Sequence, residues 1–320
     1  MDGVVAVVVG LAGGLILTPI ARRVAIAFDI VDRPGELKPQ RVPIAYLGGV
    51  AVAVAAAGGA ILTGRPLVLV PMAAALLLGL ADDLRPLAVS VRIAVELAIA
   101  AGSALVVPGP PLARIATALL VLGLLNAVNL LDGQDGLAAG VGIAIGSAFA
   151  VLGGAATPLG LGLAGALLGF LVLNRPPARI YLGDAGAYFV GTTIALLPAL
   201  TRHSATRWSI WWAVPLLVAV PVADTAIAIV RRLRAHRPLL SGDRSHVYDQ
   251  LVDRGMSIGG STMVVVAAQV LLGAVGLAAT RAAPGVALTI TVGTAFVVTI
   301  VVVRAGLLTT GSDSDAGRST

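Results

Sequence analysis

The chain of 320 residues is 58% hydrophobic and only 12% charged, with a mean hydropathy of +0.99. Soluble domains carry about 25% charged residues, so this composition excludes an ordinary soluble domain and indicates a protein that crosses a membrane several times. The net charge of +6 is explained by arginines between apolar segments and predicts no nucleic-acid partner. There is no cysteine and there are only three histidines, so any bound metal is expected to be a hard cation on oxygen ligands.

Eleven apolar segments follow one another along the chain, and each is predicted to span a membrane, because a span needs roughly 20 apolar residues. Their apolar runs are continuous, whereas the strands of a β-barrel alternate. The predicted fold class is therefore all-α, a polytopic integral membrane protein. The segments cover approximately 3–21, 44–63, 66–81, 90–107, 115–131, 137–154, 157–173, 185–200, 209–229, 260–280 and 284–303.

Basic residues set the predicted orientation. With the N-terminus outside, most of the 22 arginines and lysines fall in inner loops, as the positive-inside rule requires. An N-out, C-in arrangement is therefore expected. Residues 1–304 are predicted to form a single transmembrane domain, and 305–320, rich in Ser, Gly and Asp, a disordered inner tail.

The fifth segment ends in the stretch Asn126–Ala139, which reads NAVNLLDGQDGLAA. Two amides and two carboxylates recur there at every third residue: Asn126, Asn129, Asp132 and Asp135. At this spacing at least the first three lie on one face of a helix. Polar groups at the edge of a membrane segment are costly unless they bind something, so the stretch is predicted to belong to a functional site.

Further carboxylates follow other segments at the same predicted inner face. They are Asp82 and Asp83 after the third segment, Asp184 in RIYLGDAGAYF after the seventh, and Asp224 near the end of the ninth. One acid at the end of a span is ordinary, but acids from four segments, three of them flanked by Gly or Asn, indicate a converging metal and phosphate site. Glu96 lies within a segment, and an i,i+4 pair with Arg92 is the expected arrangement there.

Two predicted inner loops supply positive charge. The loop Asp29–Gly49 contains prolines and paired glycines, and its Lys38 is a point charge suited to phosphate. The loop Arg231–Gly255 contains several arginines and His246, which suit a nucleotide diphosphate. A loop that only fixes membrane orientation explains these arginines almost equally well. It does not explain Ser245–Val252, which is predicted to be a short helix capped by Ser245.

In this order the motifs resemble those of the polyprenyl-phosphate N-acetylhexosamine-1-phosphate transferases. This family includes the phospho-N-acetylmuramoyl-pentapeptide translocase and the undecaprenyl-phosphate GlcNAc-1-phosphate transferases. The matching pieces lie between Asp32 and Gly255: DRP and GG in the first inner loop, ADD at 81–83, NAVNLLDGQDGLA, YLGDAG, and PVADT followed by arginines. Each piece alone is weak, whereas their order and their common inner side make the resemblance specific.

The resemblance implies transfer of a sugar-1-phosphate from a UDP-sugar to a polyprenyl phosphate, either undecaprenyl or decaprenyl, with release of UMP. This is the first membrane step of a cell-envelope glycan pathway. It also implies Mg²⁺ as cofactor, with Mn²⁺ as an alternative, a lipid bilayer of the inner (plasma) membrane as surroundings, and an active site on the cytoplasmic face. Direct in-line attack by the lipid phosphate is favoured over a covalent aspartyl-phosphate. A homodimer is left open.

Roles follow from the resemblance residue by residue. The catalytic candidates are Asp82, Asp83, Asp132 and Asp135. The Mg²⁺ candidates are Asp184, Asn129 and Asp132. The substrate-binding candidates are Asp32, Lys38, Asn126, Asn174, Asp224, Arg237 and His246.

Two departures concern substrate recognition. Many bacterial members carry His-x-His-His in the last inner loop, where this chain keeps only His246 in His-Val-Tyr-Asp, and the first loop lacks the histidine of Arg-Lys-x-His. The donor sugar is therefore not assigned.

Other protein classes fit less well. A secondary transporter would hold its acids near the bilayer midplane, and a CDP-alcohol phosphotransferase would need further aspartates after Asp132–Gly136. An intramembrane aspartyl protease would need a glycine two residues before the Gly-Asp of YLGD.

Overall fold

The computed structural model describes residues 1–33, 42–204, 207–236 and 246–308, and all eleven predicted segments are helical in it. The helices are α1 Asp2–Ala27, α2 Gly48–Ile61, α3 Leu69–Leu84, α4 Val89–Val106, α5 Pro111–Leu131, α6 Leu137–Val151, α7 Ala156–Asn174, α8 Gly183–Leu200, α9 Trp208–Leu217, α10 Ala219–Arg234, α11 Val247–Asp253, α12 Ile258–Ala279 and α13 Pro284–Arg304, with a 3₁₀ turn at Pro66–Val68 before α3. Two short strands, β1 Val31–Asp32 and β2 Ile44–Ala45, pair antiparallel between α1 and α2.

Several of these helices have the dimensions of membrane spans. Within the described ranges, seven are long and apolar enough to cross a bilayer, or eight if the bent pair α9–α10 is one span. Two further apolar helices, α2 and α6, have 14 and 15 residues. The all-α, polytopic membrane fold is thus confirmed, whereas a count of eleven spans and the N-out orientation stay predictions.

The ninth segment is not the single helix expected over 209–229, because α9 and α10 meet at a bend of 63°. Pro215 and Pro221 flank the break, and each lacks the N–H that would continue the helical hydrogen bonds. The buried side chain of Gln269 on α12 bridges the gap: its Nε2 donates to Leu217 O at 2.9 Å, and its Oε1 accepts from Val220 N at 3.0 Å. Freed backbone groups inside a membrane protein need such partners.

Helix α8 lies at the centre of the bundle, with almost every residue buried, against α3, α5 and α2. Glycines allow this close approach. A Cβ on Gly79 of α3 would lie 2.3 Å from Asp184 O, and one on Gly49 of α2 would lie 2.2 Å from Gly186 N. The start of α2 and the C-terminal part of α3 are therefore held directly against the first turn of α8, which carries Asp184.

The C-terminal segment begins in an ordered way. Carbonyl groups of Ala305, Gly306 and Leu307 accept hydrogen bonds from side chains of α11 and the residue after it, Gln250 and Arg254. Residues 305–307, which were predicted to belong to a disordered tail, are therefore held by α11, and 309–320 lie outside the described residues.

Candidate active site

The start of α8 is held by an acid from a neighbouring helix. Asp83, at the end of α3, accepts the backbone N–H of Asp184 at 2.9 Å and that of Ala185 at 3.0 Å, one with each carboxylate oxygen. The first N–H groups of a helix have no partner within it, and here a charged acceptor supplies one. Gly183 enters the helix with φ of 71°, and its missing Cβ leaves room for Asp83 Oδ2, which would lie 2.8 Å away.

The adjacent acid faces another way. Asp82 is buried; its Oδ1 accepts Leu87 N at 2.7 Å, and its Oδ2 lies 3.1 Å from Arg92 Nη1. Adjacent residues of a helix point about 100° apart, which explains the separate partners. Both predicted catalytic acids of α3 therefore carry hydrogen bonds that organise the backbone around the site.

Glu96 does not form the expected pair with Arg92, whose ion pair among the described residues is with Asp82. The buried Glu96 carboxylate instead accepts Asn126 Nδ2 at 2.8 Å. The first residue of the polar stripe on α5 is thus anchored to α4, deeper in the bundle than the acids at the helix ends.

The end of α5 and the start of α8 bring two carboxylates near each other. Asp132 directly follows α5 and is half-buried, and Asp184 lies in the first turn of α8. Burial raises the pKa of Asp132 well above its usual range, the negative charges of Asp184 and Asp83 raise it further, and the Gly183 N–H opposes them. Repelling acids at a half-buried position are stabilised by a bound cation.

Two loops next to these acids are tied together. Asp135 Oδ2 accepts Ala178 N at 2.8 Å, while Asn174 accepts Gly136 N at 3.0 Å and donates to Ile180 O at 2.9 Å. Burial raises the pKa of Asp135, and the Ala178 N–H opposes that shift. Asp135 and Asn174 were predicted to be catalytic and substrate-binding, and in the structure their polar atoms hold the loops that flank Asp132 and Asp184.

The first predicted loop packs on the same segment. Tyr181 N donates to Ala45 O at 2.8 Å, and Gly48 N donates to Tyr181 O at 3.1 Å. The rings of Tyr46 and Tyr181 meet edge to face, with centroids 6.1 Å apart. Burial raises the pKa of Tyr181, and the charges of Asp135, Asp32 and Asp132 raise it further. The sequence analysis missed these tyrosines, although Tyr181 opens the YLGD motif and could have been found there.

A buried acid–histidine contact holds α11 against α10. Asp224 Oδ2 lies 2.6 Å from His246 Nδ1, Asp224 Oδ1 accepts Val247 N at 2.9 Å, and both side chains are buried. His246 is the N-cap of α11, so the short helix predicted over 245–252 is confirmed, but its cap is not Ser245, which lies outside the described residues. Tyr248 stacks on His246 and donates to Leu130 O at 3.1 Å, which joins this unit to the end of α5.

The remaining candidates are placed as follows. Asn129 is half-buried in the last turn of α5, and Asp32 is buried in β1. Lys38 and Arg237 lie outside the described residues.

The donor set allows a test for Mg²⁺. In the part of the chain that is described, no group of three or more His, Cys, Asp or Glu side chains is arranged to hold a metal ion. Mg²⁺ uses only one or two carboxylates together with substrate phosphates. Asp132 and Asp184 fit that requirement, because their charges interact, whereas Asp82 and Asp83 accept backbone N–H groups.

Comparison with known proteins gives concordant matches. The profile of glycosyl transferase family 4 matches residues 66–201. A Bacillus subtilis protein, named a probable undecaprenyl-phosphate N-acetylglucosaminyl 1-phosphate transferase, is 30% identical over 290 residues, covering 82% of this chain and 80% of the relative. A decaprenyl-phosphate N-acetylglucosaminephosphotransferase of Mycolicibacterium smegmatis is 38% identical over 106 residues, 30% of this chain and 26% of the relative. A phospho-N-acetylmuramoyl-pentapeptide-transferase of Symbiobacterium thermophilum is 50% identical over 44 residues, 14% of this chain and 13% of the relative.

Proposed function

The chain belongs to glycosyl transferase family 4, and from this we propose that it transfers a sugar-1-phosphate from a UDP-sugar to a polyprenyl phosphate and releases UMP. The observation that carries the proposal is the packing of α5 on α8, which brings Asp132 at the end of α5 close enough to Asp184 in the first turn of α8 for their charges to interact. The relatives' names support N-acetylglucosamine as the sugar to test first.

An apolar groove beside the site suits a lipid acceptor. A cavity of about 710 Å³ runs between α5, α9 and α10, lined by apolar side chains that include Leu124, Trp212, Pro215 and Ile229. Its lining extends to Ala127, next to Asn126 in the polar stripe of α5. A hydrocarbon chain in this groove would place an attached phosphate toward the end of α5, where the carboxylates lie. The bend between α9 and α10 shapes one wall of the groove.

We assign metal binding and positioning to different residues of the site. Asp132 and Asp184 would hold Mg²⁺, which neutralises phosphate charge when bound. Asp83 fixes the first turn of α8, and Asp135 and Asn174 fix the flanking loops. Phosphoryl transfer depends mainly on such positioning and on charge stabilisation.

The reaction needs no protein nucleophile. The second pKa of a phosphate monoester is about 6, so the acceptor is already largely dianionic at neutral pH. One of its oxygens attacks the phosphorus attached to the sugar, and the bond from that phosphorus to the bridging oxygen of UMP breaks. The engagement of Asp82 and Asp83 with N–H groups and Arg92 is consistent with supporting roles in this direct transfer.

The proposed location follows from charge. The chain is a multi-pass membrane protein, and its arginine-rich loops adjoin the carboxylates. Under the positive-inside rule this arrangement supports a site at the cytoplasmic face of the plasma membrane, where a soluble nucleotide sugar can reach it.

The test uses purified protein in detergent with undecaprenyl phosphate and Mg²⁺. UDP-GlcNAc, UDP-GalNAc and other UDP-sugars are offered separately, and UMP release is measured with and without EDTA. EDTA-sensitive UMP release with one donor and formation of the lipid-linked product is the expected result. Solute uptake by proteoliposomes without UMP release from any donor would instead favour a transporter, and a phosphorylated enzyme formed with donor alone would contradict direct transfer.

A further inference from the structure

A second cavity lies apart from the groove, between α1 and the C-terminal end of α7. It has a volume of about 350 Å³ and is lined by Pro19, Arg22, Arg23, Leu173 and Arg179. Three of these five residues are arginines, and two are apolar. Arg23 and Arg179 are exposed and Arg22 is half-buried, so the cavity presents positive charge above an apolar floor at the helix ends.

Within the described residues, no acid balances the charge of this cavity. Elsewhere, Arg33 pairs with Asp29 and Arg92 with Asp82, whereas across the described ranges no acid forms an ion pair with any of the cavity's three arginines. Arg22 Nε donates to Arg179 O at 3.0 Å, which fixes the position of the Arg22 side chain without neutralising it. Three guanidinium groups around one cavity repel each other, and an anion between them relieves that repulsion.

We propose that this cavity binds the phosphate headgroup of an anionic phospholipid. Guanidinium groups bind phosphate oxygens in pairs, and basic pockets between membrane helices on the cytoplasmic side suit anionic headgroups. The neighbouring surface of α1 exposes Ile16 and Ile20, which provides an apolar path for acyl chains running up from the cavity. A soluble phosphate compound would gain nothing from that path, and this favours a lipid.

The cavity is linked to the carboxylate site through one loop. The segment between α7 and α8 is held by two hydrogen bonds from opposite sides. Arg22 Nε donates to Arg179 O, and Ala178 N donates to Asp135 Oδ2. This segment leads directly into Asp184. A bound headgroup therefore stabilises the approach to α8; its effect on turnover rests on the proposed function, whereas the binding itself does not.

The test measures lipid retention by native mass spectrometry of the whole protein released from detergent. Phosphatidylglycerol and phosphatidylcholine with identical acyl chains are added at equal concentration, and glycerol 3-phosphate is added in a separate arm. Preferential retention of phosphatidylglycerol, unaffected by glycerol 3-phosphate, is expected. Equal retention of both lipids would overturn the proposal, and competition by glycerol 3-phosphate would overturn the lipid assignment.

The matched variants are Arg23→Gln with Arg179→Gln, and as control Arg65→Gln with Arg281→Gln. The first pair leaves the Arg22 hydrogen bond to the Arg179 carbonyl intact, and the control removes the same charge from exposed positions outside the cavity. Each basic residue near a membrane contributes about 1 kcal/mol to anionic-lipid binding, which is about fivefold. The first pair should lose about 25-fold in preference for phosphatidylglycerol and the control little, with both melting normally without lipid. Equal losses in the two pairs would overturn the proposal.

Discussion

Replacing Asp83 tests whether the acids of α3 act on substrate or on the protein backbone. Asp83 accepts two N–H groups at the start of α8, at 2.9 and 3.0 Å. A hydrogen bond to a charged group contributes about 1.5–3 kcal/mol. Asp83→Asn keeps one acceptor oxygen and turns an amide group toward the other N–H, so it loses about one such bond, and Asp83→Ala loses both.

The expected consequence is a displaced first turn of α8 and a displaced Asp184. A loss of 1.36 kcal/mol in the transition state corresponds to a tenfold slower reaction, so Asp83→Asn should lower kcat/KM by about 10- to 100-fold. It should also weaken the apparent affinity for Mg²⁺ and lower the melting temperature, with Asp83→Ala lower still.

The assay is UMP release against Mg²⁺ concentration, together with thermal unfolding in detergent. Asp29→Asn serves as control, because Asp29 is an exposed acid whose pair with Arg33 is expected to contribute little. An Asp83→Asn protein with unchanged melting and unchanged Mg²⁺ affinity, but a loss above about 10⁴-fold, would refute the positioning role and assign Asp83 to the reacting phosphate.

Three further predictions address other parts of the site. Asp184→Asn should abolish most UMP release at every Mg²⁺ concentration without lowering the melting temperature, because it removes one of two repelling charges; near-normal turnover would exclude a ligand role. Gln269→Leu should lower the melting temperature more than Gln269→Glu, since each buried backbone group left unpaired at the α9–α10 break costs about 1–3 kcal/mol; equal melting of wild type and both variants would contradict the bridge. Asp224→Asn and His246→Gln should each reduce kcat/KM, and the double variant should be no worse than the poorer single one if Asp224 acts by holding His246; strictly additive losses would show that they act separately.

Much of the fold could be predicted because the signals are local. All eleven continuous apolar runs are helical in the structure, and Asn126 and Asn129 of the polar stripe lie in the last turns of α5, with Asp132 directly after it. The short helix before Gly255 was also expected from its own sequence. In each case the pattern and the structure it determines lie within the same few residues.

The break in the ninth segment shows what such patterns leave out. Pro215 and Pro221 are visible in VPLLVAVPVADT, but the run is apolar throughout and long enough to span a membrane. The group that makes a sharp bend tolerable is Gln269, about 50 residues later on α12. The sequence around a single glutamine in an apolar helix does not show which backbone groups its side chain will contact. The bend therefore could not be predicted, because it depends on tertiary packing.

The roles of the acids depend on packing in the same way. The sequence placed the carboxylates at one face, yet it could not distinguish those that hold the backbone from those left for a ligand. Asp82, Asp83 and Asp135 accept hydrogen bonds from backbone N–H groups. Asp224 accepts one from Val247 N and is hydrogen-bonded to the His246 ring. Burial and neighbouring carboxylates raise the pKa of both Asp132 and Asp184: the charges of Asp184 and Asp83 act on Asp132, and those of Asp83 and Asp82 act on Asp184. Buried like charges are costly. Because the fold gives the other acids hydrogen-bond partners, a bound cation would stabilise Asp132 and Asp184 most. In the proposed reaction, the two phosphorylated substrates would need a cation at the same place.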